Sequence, residues 1–123
     1  MTKKNSDQYT IFHNPRCSKS RATLELLNTK GIEPTIVEYL KQTPSEEEIN
    51  NVLNMLNAEP REIMRKGEKL YKELELDNDA LSREQLIKAM HENPILIERP
   101  IVITESNKAA IGRPPENVLK IIE

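Results

Sequence analysis

Hydrophobic and polar residues alternate along positions 8–14 (QYTIFHN), and this two-residue period with β-branched and aromatic side chains predicts a strand. From residue 17 onward the period becomes that of a helix, and Gly31 stands where the residue after a helix C-terminus usually lies. Positions 34–40 (PTIVEYL) predict a second strand. A strand, a helix and a strand in this order predict a βαβ unit, whose two strands should be parallel.

The segment 41–97 predicts helices only. In TPSEEEINNVLNML, Ser45 and Glu48 have the spacing of a capping box, and apolar residues then recur at helical spacing. The stretch PREIMRKGEKLYKELEL predicts a second helix, interrupted at Gly67, and SREQLIKAMHE predicts a third that opens with another capping box. We therefore predict an all-helical insertion at this point of the chain.

The pattern after the insertion returns to strands. PIVIT predicts a strand, ESNK a turn, AAIG a short second strand, and PPENVLKII a closing helix with prolines in its first turn. The order βαβ, helices, ββα predicts an α/β fold of the thioredoxin-like (glutaredoxin-like) type, with a mixed four-stranded sheet. We predict a single domain over 1–123, made of a disordered lead-in (1–7), the βαβ half (8–40), the helical insertion (41–97) and the ββα half (98–123).

Composition and charge narrow the classes of function. The chain of 123 residues has the size of one domain. Its N-terminal MTKKNSDQ lacks the apolar stretch of a secretory signal, and its apolar runs are far shorter than a membrane span. A net charge of −2 and few aromatic residues argue against a nucleic-acid partner. We therefore expect a protein that binds neither nucleic acid nor membranes. The single cysteine fits a reducing cytoplasm, and a monomer is our working expectation.

The single cysteine, Cys17, lies in the stretch HNPRCSKSR, where the first strand should end and the first helix begin. Unpaired N–H groups at a helix N-terminus, with the positive charges of Arg16, Lys19 and Arg21, would stabilise a thiolate there. Ser20 is placed to donate a hydrogen bond to the sulfur. The same features attract oxyanions. We therefore predict that Cys17 is a nucleophile and not a buried apolar side chain. Because the chain has no second cysteine, a redox cycle would need a thiol from another molecule.

Two arginines, Arg99 and Arg113, stand directly before prolines. A residue before proline is disfavoured in the α region, so Arg99 should lie at the entry to a strand and Arg113 at the entry to the last helix. In a thioredoxin-like sheet both positions can lie near Cys17, and a guanidinium binds oxyanions in a bidentate way. The Arg99–Pro100 bond is also a candidate for the cis form.

Four stretches resemble the ArsC family of glutaredoxin-coupled arsenate reductases, and together they cover residues 9–122: YTIFHNPRCSKSRATLELL, EPTIVEYL, REIMRKGEKLYKEL and NPILIERPIVITESNKAAIGRPPENVL. The resemblance implies a thioredoxin-like fold and the reduction of arsenate to arsenite, with Cys17 as the nucleophile. It also places Arg65, Arg99 and Arg113 at the three anion-binding arginines of the family. Periodicity alone does not single out Arg65 from its charged neighbours.

The same resemblance makes His13 and Ser20 supporting residues of the thiol, together with the charge of Arg16. It implies that the thiolate attacks arsenic, that glutathione then adds as a co-substrate, and that glutaredoxin reduces the adduct. We expect no bound cofactor and no metal, because the chain has no glycine-rich fingerprint and only two, widely separated histidines. The residues after the cysteine, Ser18 and Lys19, differ from the smaller, uncharged residues of many family members.

Two other functions remain open from the sequence. One is a glutathione-dependent thiol/disulfide reductase on the same scaffold, whose arginines would hold glutathione carboxylates. The other is a regulator of the Spx type that binds RNA polymerase, although many of those carry a second cysteine at the position of Ser20. The phosphatase type of arsenate reductase is excluded, because its CX5R loop requires arginine where this chain has Thr23.

Overall fold

The computed structural model describes residues 8–122, so the lead-in predicted at 1–7 lies outside the described residues. The chain forms two compact units. The sheet unit contains the chain up to residue 42 and again from residue 99 onward, and the helical unit contains 43–98.

The sheet unit is built on four strands in the order β2-β1-β3-β4. They are β1 (Tyr9–His13), β2 (Thr35–Glu38), β3 (Ile101–Thr104) and β4 (Ala109–Ile111). Strand β1 runs parallel to β2, with Ile11 opposite Ile36, and antiparallel to β3, with Ile11 opposite Val102. Strands β3 and β4 are antiparallel. The predicted mixed four-stranded sheet and its parallel βαβ half are confirmed.

Helix α1 (Ser18–Thr29) connects β1 to β2 and supplies one side of the core. It ends as predicted, because Gly31 adopts a φ of +79°, which a residue with a side chain rarely takes. The N–H of Ile32 then donates to the Leu27 carbonyl at 2.9 Å, which closes the helix end. The buried cluster of this unit contains Tyr9, Ile11, Leu27, Ile32, Val102, Val118 and Ile121.

The helical unit contains α2 (Glu46–Leu56), α3 (Lys69–Glu73) and α4 (Arg83–Glu92), of which α2 and α4 pack against each other. Both predicted capping boxes are present. The Ser45 hydroxyl accepts from the N–H of Glu48 at 3.1 Å, and the Glu48 carboxylate accepts from the N–H of Ser45 at 3.0 Å. Ser82 and Gln85 form the same reciprocal pair at the start of α4.

The helix predicted from PREIMRKGEKLYKELEL, with an interruption at Gly67, is only partly present, and the interruption is wider than predicted. A 3₁₀ turn spans Pro60–Ile63, the chain is extended at Met64, and only the short α3 follows. The reason is a tertiary backbone pairing, in which Met64 forms a β-bridge with Ile97. The N–H of Arg65 donates to the Leu96 carbonyl, and the N–H of Glu98 donates to the Ile63 carbonyl, both at 2.7 Å. These bonds satisfy backbone groups that a continuous helix would have paired internally.

The closing helix over Pro115–Ile121 is present but has 3₁₀ geometry. Its first bond runs from the N–H of Asn117 to the carbonyl of Pro114, three residues back, as in a 3₁₀ turn. The Arg99–Pro100 bond is cis, and so is the Arg113–Pro114 bond, which the sequence did not single out. Within residues 8–122, no helix has both the length and the apolar character needed to cross a bilayer.

Candidate active site

Cys17 is the N-cap residue of α1, with an extended backbone (φ −96°, ψ 123°) and a partly exposed side chain. Its carbonyl accepts the N–H of Arg21 at 3.0 Å, the first bond of the helix. Its own N–H donates to the Asn14 carbonyl at 3.0 Å, which fixes the turn that leads from β1 into α1. The sulfur therefore sits at the positive end of the helix dipole, where the sequence placed it.

Burial and three nearby groups act on the pKa of the Cys17 thiol. Partial burial raises it, because an apolar environment disfavours the thiolate. The backbone N–H groups of Ser20 and Lys19 and the guanidinium of Arg99 all favour the thiolate, because each presents partial or full positive charge to the sulfur. These three outweigh the burial, so the pKa of Cys17 lies below its ordinary value. The thiol is thus prepared to react as a thiolate.

Both arginines that precede prolines lie beside the sulfur, one before β3 and one after β4. Nη1 of Arg113 is 3.9 Å from Cys17 Sγ and also donates to the Arg99 carbonyl at 3.1 Å. The Nε and Nη1 atoms of Arg99 are buried and have no hydrogen-bond partner among the described residues. Buried donors of this kind are rare and costly, and a bound anion would satisfy them.

His13 and Ser20 form a buried pair beneath the loop. Nδ1 of His13 and Oγ of Ser20 share a hydrogen bond of 2.6 Å, and the N–H of Asn14 donates to the same hydroxyl at 3.0 Å. The Ser20 hydroxyl therefore bonds to His13 and to the backbone of Asn14, and not to the sulfur as predicted; it is the backbone N–H of Ser20 that favours the thiolate. Burial lowers the pKa of His13, Glu38 partly opposes this, and Arg21 adds to it.

The remaining charges of the loop have different surroundings. Arg21 donates from Nη1 to the Pro15 carbonyl at 2.9 Å, so it closes the loop. The side chains of Arg16 and Lys19 are exposed and add positive charge at the surface near the thiol. Asn14 was not among the predicted site residues, and its side-chain oxygen accepts the N–H of Arg16 at 3.0 Å. An asparagine before proline often forms such a turn, so the signal was available.

Arg65 belongs to the helical unit, where its Nη1 forms an ion pair with Glu68 at 2.8 Å. Its part in anion binding stays a prediction. Its neighbour Arg61 has a structural role, because it donates from Nε to the Leu76 carbonyl at 2.9 Å and from Nη2 to the Asn78 carbonyl at 2.7 Å.

Among the described residues, no cluster of three or more histidine, cysteine, aspartate or glutamate side chains could hold a metal ion.

The lowered pKa of Cys17 gives a testable pH dependence. Because the thiolate is the reactive form, the rate of alkylation by iodoacetamide should stay high below the pH at which an unperturbed cysteine loses reactivity. It should fall only as the pH drops through the lowered pKa, by tenfold per pH unit below it. Stopped reactions between pH 4 and 10 measure the profile, with the same protein in denaturant as the control. A native profile identical to the denatured one would contradict the description of this site.

A family model described as "ArsC family" matches residues 12–121. A relative named arsenate reductase, from Haemophilus influenzae, is 51% identical over 113 residues, which are 91% of this chain and 97% of the relative. An Escherichia coli K12 relative named "Uncharacterized protein YfgD" is 52% identical over 116 residues, 94% and 97% of the two chains. The solved structure of an arsenate reductase from Vibrio cholerae is 47% identical, with a TM-score of 0.92 over 98% of this chain and 100% of that one. The chain belongs to the ArsC family.

Proposed function

We propose that this protein is an arsenate reductase that converts arsenate to arsenite, with the Cys17 thiolate as the nucleophile. The observation that carries the proposal is the pair of buried donors of Arg99, which have no partner among the described residues and lie on the guanidinium whose charge favours the thiolate. Arg113 adds a second guanidinium at 3.9 Å from the sulfur. A tetrahedral oxyanion can take hydrogen bonds from both groups while its central atom faces the thiolate.

The first step is a substitution at arsenic. A bond forms between Cys17 Sγ and arsenic, and one arsenic–oxygen bond breaks, with the oxygen leaving as hydroxide or, after taking up a proton, as water. Arsenic keeps its oxidation state of +5 in this adduct. The positive charge of Arg99 and Arg113 stabilises the negative charge on the remaining oxygens as the sulfur approaches. Arg65, from the family resemblance, is proposed as a third group that binds these oxygens.

Reduction needs two electrons and therefore two thiols from outside the chain, because Cys17 is its single cysteine. We propose that glutathione displaces a second oxygen as water and that a glutaredoxin thiolate then attacks the glutathione sulfur. The new disulfide forms as the sulfur–arsenic bond to glutathione breaks, and its electron pair stays on arsenic, which becomes As(III). Water then displaces arsenite from Cys17 and restores the thiol. No bound cofactor is part of this cycle, and it requires a reducing compartment such as the cytoplasm.

A coupled assay tests the proposal. Purified protein is mixed with glutathione, glutaredoxin, glutathione reductase and NADPH, and NADPH oxidation is followed with arsenate or with a glutathione mixed disulfide as the oxidant. We expect oxidation that depends on arsenate and on the protein, with arsenite as the product. A parallel series with thioredoxin and thioredoxin reductase in place of the glutathione components identifies the electron donor, and we expect little turnover there.

The alternative function makes the opposite prediction in the same assay. A thiol/disulfide reductase would turn over the mixed disulfide without arsenate, since the two arginines would then hold glutathione carboxylates. Turnover with the mixed disulfide alone, and none with arsenate, would replace the present proposal by that function.

A further inference from the structure

Thr23 lies in the second turn of α1, and its side chain is completely buried. Its hydroxyl donates to the carbonyl of Lys19, four residues back, at 2.8 Å, and lies 3.4 Å from the Gly112 carbonyl. A threonine within a helix commonly forms the first of these bonds, so the bond itself needs no further explanation. The contact with Gly112, which is 89 residues away in the chain, does.

Thr23 packs against both segments that carry an arginine of the site. A methyl group added to Gly112 would overlap the Thr23 side chain and would come within 2.8 Å of Pro100 Cγ, so the three residues are in close contact. The N–H of Gly112 also donates to the Pro100 carbonyl at 2.9 Å. Pro100 directly follows Arg99, and Gly112 directly precedes Arg113. The contact thus joins the helix to the backbone beside each guanidinium.

The same helix carries the sulfur. Cys17 caps α1, and Thr23 lies six residues further along, about 9 Å along the helix axis. The sulfur position follows from α1, and the positions of Arg99 and Arg113 follow from the segments that touch Thr23. Movement at this contact would change the spacing between the sulfur and both positive groups. A distance of 3.9 Å between Arg113 Nη1 and Cys17 Sγ is already the long end of a hydrogen bond to sulfur, so a small shift would break it.

We propose that Thr23 is a positioning residue of the reaction. Its buried side chain fixes the position of α1 relative to the segments that carry Arg99 and Arg113. The role of Thr23 in catalysis rests on the proposed function. Its effect on the distance between the sulfur and the two arginines does not depend on that function. The packing of both γ atoms of Thr23, and not its hydrogen bond, holds these segments in place. Gly112 has no side chain, and the space beside its Cα is filled by Thr23 and Pro100, so Gly112 itself cannot fill a gap left by a smaller residue at position 23.

The test is the pH profile of Cys17 alkylation, which needs no arsenate. In Thr23→Ala both γ atoms are lost, and we expect the profile to shift to higher pH, so that alkylation below the thiol pKa slows by roughly three- to tenfold. Thr23→Ser, which loses only the methyl, should shift less. Thr23→Val keeps the β-branched shape of the side chain without the hydroxyl, and its profile should stay within about twofold of the unaltered protein.

Thr29→Ala is the matched control. Thr29 lies on the same helix and makes the same bond, from its hydroxyl to the Glu25 carbonyl at 2.7 Å, but it is exposed. It should leave the profile unchanged. Near-native circular dichroism and urea unfolding establish that each variant is folded when alkylated. If Thr23→Ala and Thr23→Ser are folded and keep the original profile, or if Thr23→Val shifts as far as Thr23→Ala, the proposal is wrong. If arsenate turnover fails in the unaltered protein, the proposed function falls while the alkylation result still decides the positioning role.

Discussion

Cys17→Ser should abolish arsenate-dependent turnover, with a loss of at least about a thousandfold in kcat/KM. The serine hydroxyl remains protonated at neutral pH even where a thiol is ionised, and oxygen forms no equivalent of the sulfur–arsenic bond that the cycle requires. The loop should persist, because the bonds from Cys17 N–H to Asn14 and from Arg21 N–H to the Cys17 carbonyl belong to the backbone. The coupled assay measures the turnover, and a thermal shift with arsenate measures binding.

The control for this substitution is Ser18→Ala. Ser18 is the next residue, is exposed and contributes no side-chain bond to the thiol, so turnover should stay within about twofold of the unaltered protein. Cys17→Ser should also retain the stabilisation by arsenate, since the arginines are unchanged. Turnover in Cys17→Ser above a tenth of the original value would show that another group attacks arsenic.

Arg99→Met should have opposite effects on activity and stability. Activity should fall by about 10²–10³-fold, the usual cost of removing one donor that stabilises a developing oxyanion. The free energy of unfolding without anions should stay the same or rise, because two of the three guanidinium nitrogens are buried without a partner among the described residues. Arsenate should raise the unfolding temperature of the original protein and not that of the variant. Thermal unfolding with and without arsenate and the coupled assay measure the three quantities.

Arg61→Met should have the opposite pair of effects, with lower stability and unchanged activity. Its two bonds, to the carbonyls of Leu76 and Asn78, are structural, so the variant should lose about 1–3 kcal/mol in the free energy of unfolding. Its turnover in the folded state should stay near the original value. Should Arg99→Met lose stability as Arg61→Met does while keeping its arsenate turnover, Arg99 would be a structural residue.

Sequence patterns predicted best where the signal is local. The capping boxes at Ser45 and Ser82 involve residues three positions apart, so the sequence contains the whole interaction. The placement of Cys17 at a helix start follows from one change of period between β1 and α1. Arg99 and Arg113 were found because proline limits the backbone before it, which is also a local rule.

The predictions failed where distant residues decide the structure. The helix over PREIMRKGEKLYKELEL is broken by the pairing of Met64 with Ile97, and no helical period reveals a partner 33 positions away. The Ser20 hydroxyl was predicted to bond to the sulfur. It is buried on the inner side of α1 and bonds to His13 instead. No local pattern marks Thr23 as a functional residue, because its proposed positioning role depends on its contact with the distant Gly112.

The partly exposed sulfur at the N-terminus of α1 also determines how the protein reacts with oxidants. A low pKa that favours attack on arsenic equally favours attack on peroxide, which converts the sulfur to sulfenic acid. Many peroxide-sensing proteins trap that state as a disulfide with a resolving cysteine, but this chain has none to offer. A thiol from another molecule must therefore cap the sulfenic acid before it becomes irreversible sulfinic acid, and glutathionylation by the cellular glutathione pool is one such cap.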